Sequence, residues 1–242
     1  KYKYELVELS TSEFHYFMTQ KDFKAINVTI PYKEKVLPYL NYVSPEAQKI
    51  NAVNTIVNKN GYLYGYNTDY LGLKEMINHF NIDINNKKVM ILGTGGTSKT
   101  AYQVVKDLNA SSVIFVSTSK KDGAISYQQI YEYCKDIDVL INTTPKEMYP
   151  NIDKEIIESL DNFKSLSAVI DVIYNPIRTS LTLKAKEKKI KYCNGLFMLV
   201  AQAFYAIEIF VDKPLKKEVL DNVYNKLVKE KENIVLIGMP SS

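Results

Sequence analysis

Tryptophan is absent from this chain, arginine occurs once, at Arg178, and cysteine and histidine occur twice each. Each scarcity excludes something. Cys134 and Cys193 lack metal-ligand spacing and cannot staple 242 residues, so a reducing compartment, the cytoplasm, is expected. His15 and His79 belong to no motif and read as surface or packing residues, and no metal constellation stands out. With one arginine the chain lacks the planar forks that grip phosphates and guanine edges. Its lysines are scattered apart from residues 184–191, which read as a solvated helix face, so no nucleic-acid partner is expected. Nine glycines and eight prolines, set against 46% apolar and 12% aromatic residues and a net charge of +4, exclude disorder. The longest apolar run, residues 196–211, is broken by Gln202 and Glu208 and falls short of the roughly 20 residues of a membrane span.

What is present divides into two textures. Residues 2–8 read as a strand, 11–19 as a short helix and 25–30 as another strand. Pro31 opens a turn, and Ser44-Pro45-Glu46 has the form of a cap followed by proline at the first helical position. Runs at 52–57 and 62–66 flank Asn58-Lys59-Asn60-Gly61, a hairpin signal, and a helix is predicted over 68–80. From Lys87 the pattern becomes regular. Strand-like runs at 89–92, 113–116, 139–141, 168–172 and 190–193 alternate with amphipathic stretches at 98–108, 127–134, 154–160 and 179–189. That beat predicts βαβ units and a parallel sheet. Helices at 196–211 and 214–230 and a last strand-like run at 233–237 complete the chain.

Gly93-Thr94-Gly95-Gly96-Thr97-Ser98 follows the strand at 89–92 and opens a helix. There the glycines permit a tight turn and close approach of backbone to a pyrophosphate, and the helix N-terminus supplies free N–H groups. Ser98 replaces the usual third glycine but is still small. After the next strand come Ser117, Thr118, Ser119, Lys120 and Lys121, with no carboxylate before Asp122 to hold a ribose 2′-hydroxyl. NADP is favoured over NAD on that ground.

Before the glycine loop, Asn27, Thr29 and Lys33 flank a proline corner, Asn51, Asn54 and Thr55 end one element, and Asn67, Thr68 and Asp69 begin another. A polyhydroxylated substrate needs donors and acceptors from several segments, and a Lys/Asp pair could position a hydroxyl and move its proton. Taken singly, Asp69 reads equally well as a helix cap and Lys33 as a surface lysine.

Seven motifs run in order along the chain. They are Asn-Val-Thr-x-Pro-x-Lys at 27–33, Ala-Val-Asn-Thr at 52–55, Asn-Thr-Asp at 67–69 and Gly-x-Gly-Gly-x-Ser at 93–98. Further on come Asn-Thr-Thr-Pro at 142–145, Asp-x-x-Tyr-x-Pro-x-x-Thr at 171–179 and Gly-x-x-Met-Leu-x-x-Gln at 195–202. Together they resemble the shikimate dehydrogenase family, NADP-dependent oxidoreductases of aromatic amino-acid and chorismate biosynthesis. The resemblance implies an α/β fold in which a Rossmann-type domain (81–194) is inserted into a smaller, discontinuous substrate domain (1–80, with helices from 195–232 returning to it). It implies that Lys33 and Asp69 are the catalytic pair. Thr29, Asn54 and Gln202 would bind substrate, with Tyr174 closing the cleft near the nicotinamide. Gly93, Gly95, Gly96, Thr97, Ser98, Ser117, Thr118, Ser119, Lys120, Gly195 and Met198 would line the cofactor. The implied reaction is the reversible reduction of 3-dehydroshikimate to shikimate with NADPH. The alternatives are a quinate/shikimate enzyme using NAD and an impaired cofactor-binding fragment. A homodimer is left open.

Three departures from the family pattern stand out. The Ser-x-Ser segment that holds the substrate carboxylate is expected to lie before residue 1. The family's Asn-Arg-Thr is here Ser117-Thr118-Ser119, so Lys120 or Lys121 must replace the arginine. A usual Gly-Met pair is Glu147-Met148. Residues 233–242 resemble the opening of shikimate kinase, which implies a fused kinase partner, although the Gly-Lys-Ser/Thr of a phosphate cradle is not in this chain.

Overall fold

The computed structural model describes residues 3–119, 123–150, 152 and 155–231. Its first helix, α1 (Thr11–Gln20), starts under a capping box in which Ser10 accepts from the Glu13 N–H and the Glu13 carboxylate accepts from the Ser10 N–H. A four-stranded sheet follows, made of β1 (Ala25–Asn27), β2 (Tyr42–Val43), β3 (Thr55–Lys59) and β4 (Tyr62–Tyr66) in the order β1-β3-β4-β2. The β3–β4 hairpin turns on Asn60 and Gly61, both left-handed at φ 56° and 86°, between the closing pair Lys59 and Tyr62. That conformation suits Asn-Gly because the twist of such a turn matches the twist of the strands. α1, α2 (Pro45–Ile50) and the sheet enclose a small core of Phe14, Met18, Val36, Val53, Ile56 and Leu63.

The larger sheet holds β5 (Lys88–Leu92), β6 (Ser112–Val116), β7 (Ala124–Ile125), β8 (Val139–Asn142), β9 (Ala168–Asp171) and β10 (Lys191–Cys193), all parallel, in the order β10-β9-β8-β5-β6-β7. Strand order reverses between β5 and β8, the topological switch of a Rossmann-type sheet. Its central strands are apolar on both faces, as a covered parallel sheet requires. Val89, Ile91, Val139 and Ile141 face α3 (Thr68–His79), α4 (Gly96–Asp107) and α7 (Leu196–Val211). On the opposite face Met90, Leu92, Leu140 and Val169 meet α5 (Ile130–Tyr133), α6 (Ser180–Glu187) and the chain at 156–166.

α3 and α7 join the two sheets. A Cβ on Gly72 would stand 2.8 Å from the Met198 carbonyl and 3.0 Å from the Gln202 nitrogen, so the two helix backbones nearly touch there. α8 (Lys217–Lys231) closes the bundle: Lys217 pairs with Glu75 at 2.6 Å, and Glu75 also accepts from the Tyr205 hydroxyl at 2.7 Å.

Two expectations fail. Residues 3–8 form no strand. Leu6 is 97% exposed, and among the described residues no strand pairs with this run. Residues 155–160 form no helix. Ile156, Ile157 and Leu160 are instead buried in an irregular segment pinned to α6, where Lys184 meets Glu155 and the Ile157 carbonyl and Lys188 meets Asp161. Apolar spacing there reports burial of a loop, which periodicity cannot tell from burial of a helix. β2 and β7, two residues each, were too short to read. Lys120, Lys121 and the 233–242 run lie outside the described residues. No helix among the described residues is long and apolar enough to cross a membrane.

Gly72→Ala should cost roughly 1–3 kcal/mol, the scale of overpacking a close contact. Gly96→Ala, whose Cβ meets open space, should stay within about 0.5 kcal/mol of the parent. Urea midpoints of the two variants check this, and equal midpoints would mean that α3 and α7 can part without cost.

Candidate active site

Three backbone hydrogen bonds draw the polar segments of the small sheet together. The Val28 N–H donates to the Asn54 carbonyl (2.8 Å), the Val53 N–H to the Lys33 carbonyl (2.9 Å) and the Asn54 N–H to the Tyr66 carbonyl (3.0 Å). Lys33 Nζ consequently reaches Asp69 Oδ2 at 2.6 Å, with both side chains about a quarter exposed. Asp69 is free for this because Asn67 caps α3. Asn67 Oδ1 accepts from the Tyr70 N–H (3.0 Å) and its Nδ2 donates to the Ala52 carbonyl (2.9 Å). Asn54 Oδ1 is saturated by the Thr68 N–H (2.7 Å) and by the Thr68 and Thr55 hydroxyls, each at 3.1 Å. That fixes the amide and leaves its N–H groups as the donors not spent on the fold. Thr29 is exposed at the proline corner, and its carbonyl accepts from the Tyr32 N–H (2.9 Å). Gln202 stands on α7 beside Gly72, one turn from Asp69, with its amide turned back to the Leu199 carbonyl (2.9 Å).

Across from this pair lies the glycine loop. Glu34, next to Lys33, meets Lys99 of α4 at 2.9 Å, so the two halves stand close together. Gly93 takes φ +105°, and a Cβ on it would crowd the Thr143 hydroxyl at 2.9 Å. Gly95 caps α4 without a side-chain acceptor, and the space above Gly95 and Gly96 is open. Ser98 is buried and its hydroxyl bonds to Thr143 (2.9 Å), so it braces the loop from beneath, while Thr97 is half-buried. At the end of β6, Ser117 bonds to the Thr94 and Ser119 hydroxyls at 3.2 and 3.1 Å, with Thr118 and Ser119 exposed. An uncapped helix N-terminus, two glycines under open ground and a row of hydroxyls fit the pyrophosphate and adenosine of a dinucleotide.

The far wall is organised by buried acids. Asp171 accepts from Thr179 Oγ1 (2.7 Å), Asn142 Nδ2 (3.0 Å) and the Ile173 N–H (3.0 Å). Burial outweighs those bonds and, with Glu147 nearby, pushes its carboxyl up to about 6. Glu147 adopts φ +67°, the left-handed conformation that favours glycine. Its carboxylate compensates by accepting from the Ser180 N–H (2.5 Å), the Ser180 hydroxyl (2.7 Å) and the Ile156 N–H (3.3 Å). Beyond β9, Tyr174 is 40% exposed. Gly195 lies so close to the Val172 carbonyl that a Cβ would stand 1.9 Å from it, and Met198 is buried with its carbonyl beneath Gly72.

Residues 1–56 match the family model for the shikimate dehydrogenase substrate binding domain. Over 212 residues the chain is 40% identical to the shikimate dehydrogenase (NADP(+)) of Clostridium beijerinckii, covering 84% of this chain and 77% of that one. The chain belongs to the shikimate dehydrogenase family. The crystal structure of shikimate dehydrogenase 1 from Peptoclostridium difficile superposes with a TM-score of 0.81 at 36% identity, covering 94% of this chain and 87% of that chain. A chorismate mutase/shikimate 5-dehydrogenase fusion protein from Clostridium acetobutylicum gives 0.83 at 32% identity, covering 90% and 82%. Within the span matched to the shikimate dehydrogenase substrate domain stand Thr29, Lys33 and Asn54; Asp69 lies beyond it and meets Lys33 only in the fold, and Gln202, also beyond it, abuts Gly72 of the same helix as Asp69.

Sequence reading missed the Glu34–Lys99 bridge and the anchoring role of Glu147, and it grouped the Thr55 and Thr68 hydroxyls with substrate-facing donors, whereas both are buried behind Asn54. Only Glu147 left a signal, a charged residue where the family carries glycine.

The raised Asp171 carboxyl has a signed consequence. Its folded-state affinity for a proton exceeds that of the unfolded chain, so stability falls as pH rises from about 4 to about 6 and the full cost of the buried charge is present above that. Asp171→Asn should abolish this slope, worth on the order of 2–3 kcal/mol. Urea unfolding of both proteins across that window checks it, and parallel pH curves would remove Asp171 as the titrating group.

Proposed function

We propose that this chain interconverts 3-dehydroshikimate and shikimate with NADP(H), as an oxidoreductase acting on a CH–OH group. The Lys33–Asp69 pair at 2.6 Å, facing a dinucleotide loop in a chain 40% identical to a shikimate dehydrogenase (NADP(+)), carries this reading. The cofactor named in that relative favours it over the NAD-linked quinate/shikimate alternative. Residues 1–80 and 195–232 serve the substrate, and 81–194 serve NADP.

NADP, when bound, supplies the hydride acceptor. The chain's own residues do the rest. Lys33 and Asp69 hold the substrate hydroxyl, and the pair takes up and returns its proton. Thr29, Asn54 and Gln202 orient the ring hydroxyls, and Tyr174 covers the reacting face. Gly95, Gly96 and Thr97 bring backbone N–H groups to the pyrophosphate over the brace of Gly93 and Ser98. Ser117, Thr118, Ser119 and Lys120 meet the adenosine. Gly195 and Met198 shape the nicotinamide side. With two free, buried cysteines, the enzyme suits the reducing cytoplasm. A kinase domain fused after residue 242 and a homodimer are tested by sequencing the natural reading frame and by sedimentation.

The direct test is shikimate-dependent reduction of NADP+, run beside NAD+ and quinate. Absence of turnover with shikimate and NADP+ overturns the assignment. Lys33→Ala should lower kcat by about 100-fold or more, the scale of a lost acid–base group, while NADPH affinity holds. Near-parental kcat would remove Lys33 from the chemistry. Gly95→Leu should abolish NADPH binding without unfolding the chain, since its side chain fills open ground; matching NADPH titrations for mutant and parent would refute that placement.

A further inference from the structure

Lys146 carries an inference that the family motifs do not. It lies four residues past the end of β8 at Asn142, in the loop that crosses the carboxyl edge of the large sheet. Its ammonium sits 4.5 Å from the centre of the Tyr127 ring. Tyr127 begins the turn after β7, and β7 stands three strands from β8 in the order β8-β5-β6-β7, roughly 14 Å away. The lysine stem and the tyrosine ring must therefore meet beneath the ends of β5 and β6. Tyr127 packs there against the cluster that contains Leu92 and Val116, the last residues of those strands. The dinucleotide crevice opens between β5 and β8, and its adenosine half runs toward β6. Lys146 thus presents a positive charge on the adenosine side of the crevice.

Charge accounting points the same way. A ribose 2′-phosphate needs a cation; Lys120 and Lys121 lie outside the described residues, and among those described the sole arginine is in the wrong place. Arg178 lines a groove of about 520 Å³ with Tyr192 and Lys231, on the β10 side of the sheet. Lys99 is engaged by Glu34. Lys146, among the described residues, pairs with no carboxylate. Its partner is a half-buried ring whose hydroxyl burial pushes up to about 12, so the ring stays neutral and leaves the ammonium's charge uncancelled. At the end of β6, the Ser117 and Ser119 hydroxyls supply hydrogen bonds without a repelling charge.

We propose that Lys146, held over Tyr127, meets the adenosine 2′-phosphate and sets the preference for NADP over NAD. Tyr127 is its positioning residue. The inference rests on the NADP reading above and assigns that specificity to a residue outside the strand-end loop at 117–121.

The test uses the chain without turnover, by calorimetric titration with 2′,5′-ADP and 5′-AMP. Lys146→Met keeps the stem and removes the charge. It should weaken 2′,5′-ADP by roughly tenfold or more, the worth of one charge-assisted hydrogen bond, and leave 5′-AMP within about twofold. Tyr127→Leu should lose part of the same discrimination, while Lys146→Arg should retain it. Unchanged 2′,5′-ADP binding by Lys146→Met overturns the proposal, as does equal loss of both ligands, which would mean that the loop is merely distorted. The variant Lys120→Ala/Lys121→Ala runs in parallel, and total loss of discrimination there with none at Lys146 overturns it too. A parent that binds both ligands equally would sink the NADP reading itself, and this proposal with it.

Discussion

The close approach of α3 to α7 at Gly72 is the constraint on which the rest of the structure depends. α3 carries Asp69 in its first turn and leaves the small sheet, whereas α7 leaves the large sheet and carries Met198 and Gln202. With 2.8 Å between a notional Gly72 Cβ and the Met198 carbonyl, no side chain can separate them. Backbones in such contact fix both the separation and the sliding of the helices, because interiors pack like crystals rather than liquids. Gly72, one turn after Asp69, therefore abuts Gln202, although 130 positions separate Gly72 and Gln202 in the chain. Lys217, Glu75 and Tyr205 then clamp α8 onto the same pair.

The charged groups divide by burial into two kinds. Lys33 and Asp69 keep about a quarter of their surface in water, where an ion pair contributes about 0–1 kcal/mol. Stability therefore does not explain their placement. Asp171 and Glu147 are buried and spend their oxygens on Thr179, Asn142, Ser180 and Ile156. They hold the loops after β8 and β9 in place, and those loops carry Lys146 and Tyr174. Glu147 shows how a left-handed position can dispense with glycine: three hydrogen bonds to its carboxylate offset a backbone cost of about 1–2 kcal/mol.

What the sequence determined by itself was whatever depends on neighbours along the chain. The Asn60-Gly61 turn, the Gly93–Ser98 loop after a strand and the βαβ alternation from Lys87 are local in cause and were legible. So were the seven motifs, because their spacing is a property of the chain. Tertiary structure alone decided what depends on partners distant in sequence. Residues 3–8 have a strand pattern but, among the described residues, no strand to pair with, and 155–160 have a helix pattern but bury it as a loop against α6. Asp69 reads in the sequence as a cap of α3, but the cap in the structure is Asn67. The choice fell to Asn67 because its amide could also reach the Ala52 carbonyl, leaving the Asp69 carboxylate for Lys33, 36 positions away. A side chain's type can be read from one dimension, but its partner is set in three, where burial and the competition for hydrogen bonds decide which of several locally permitted contacts is made.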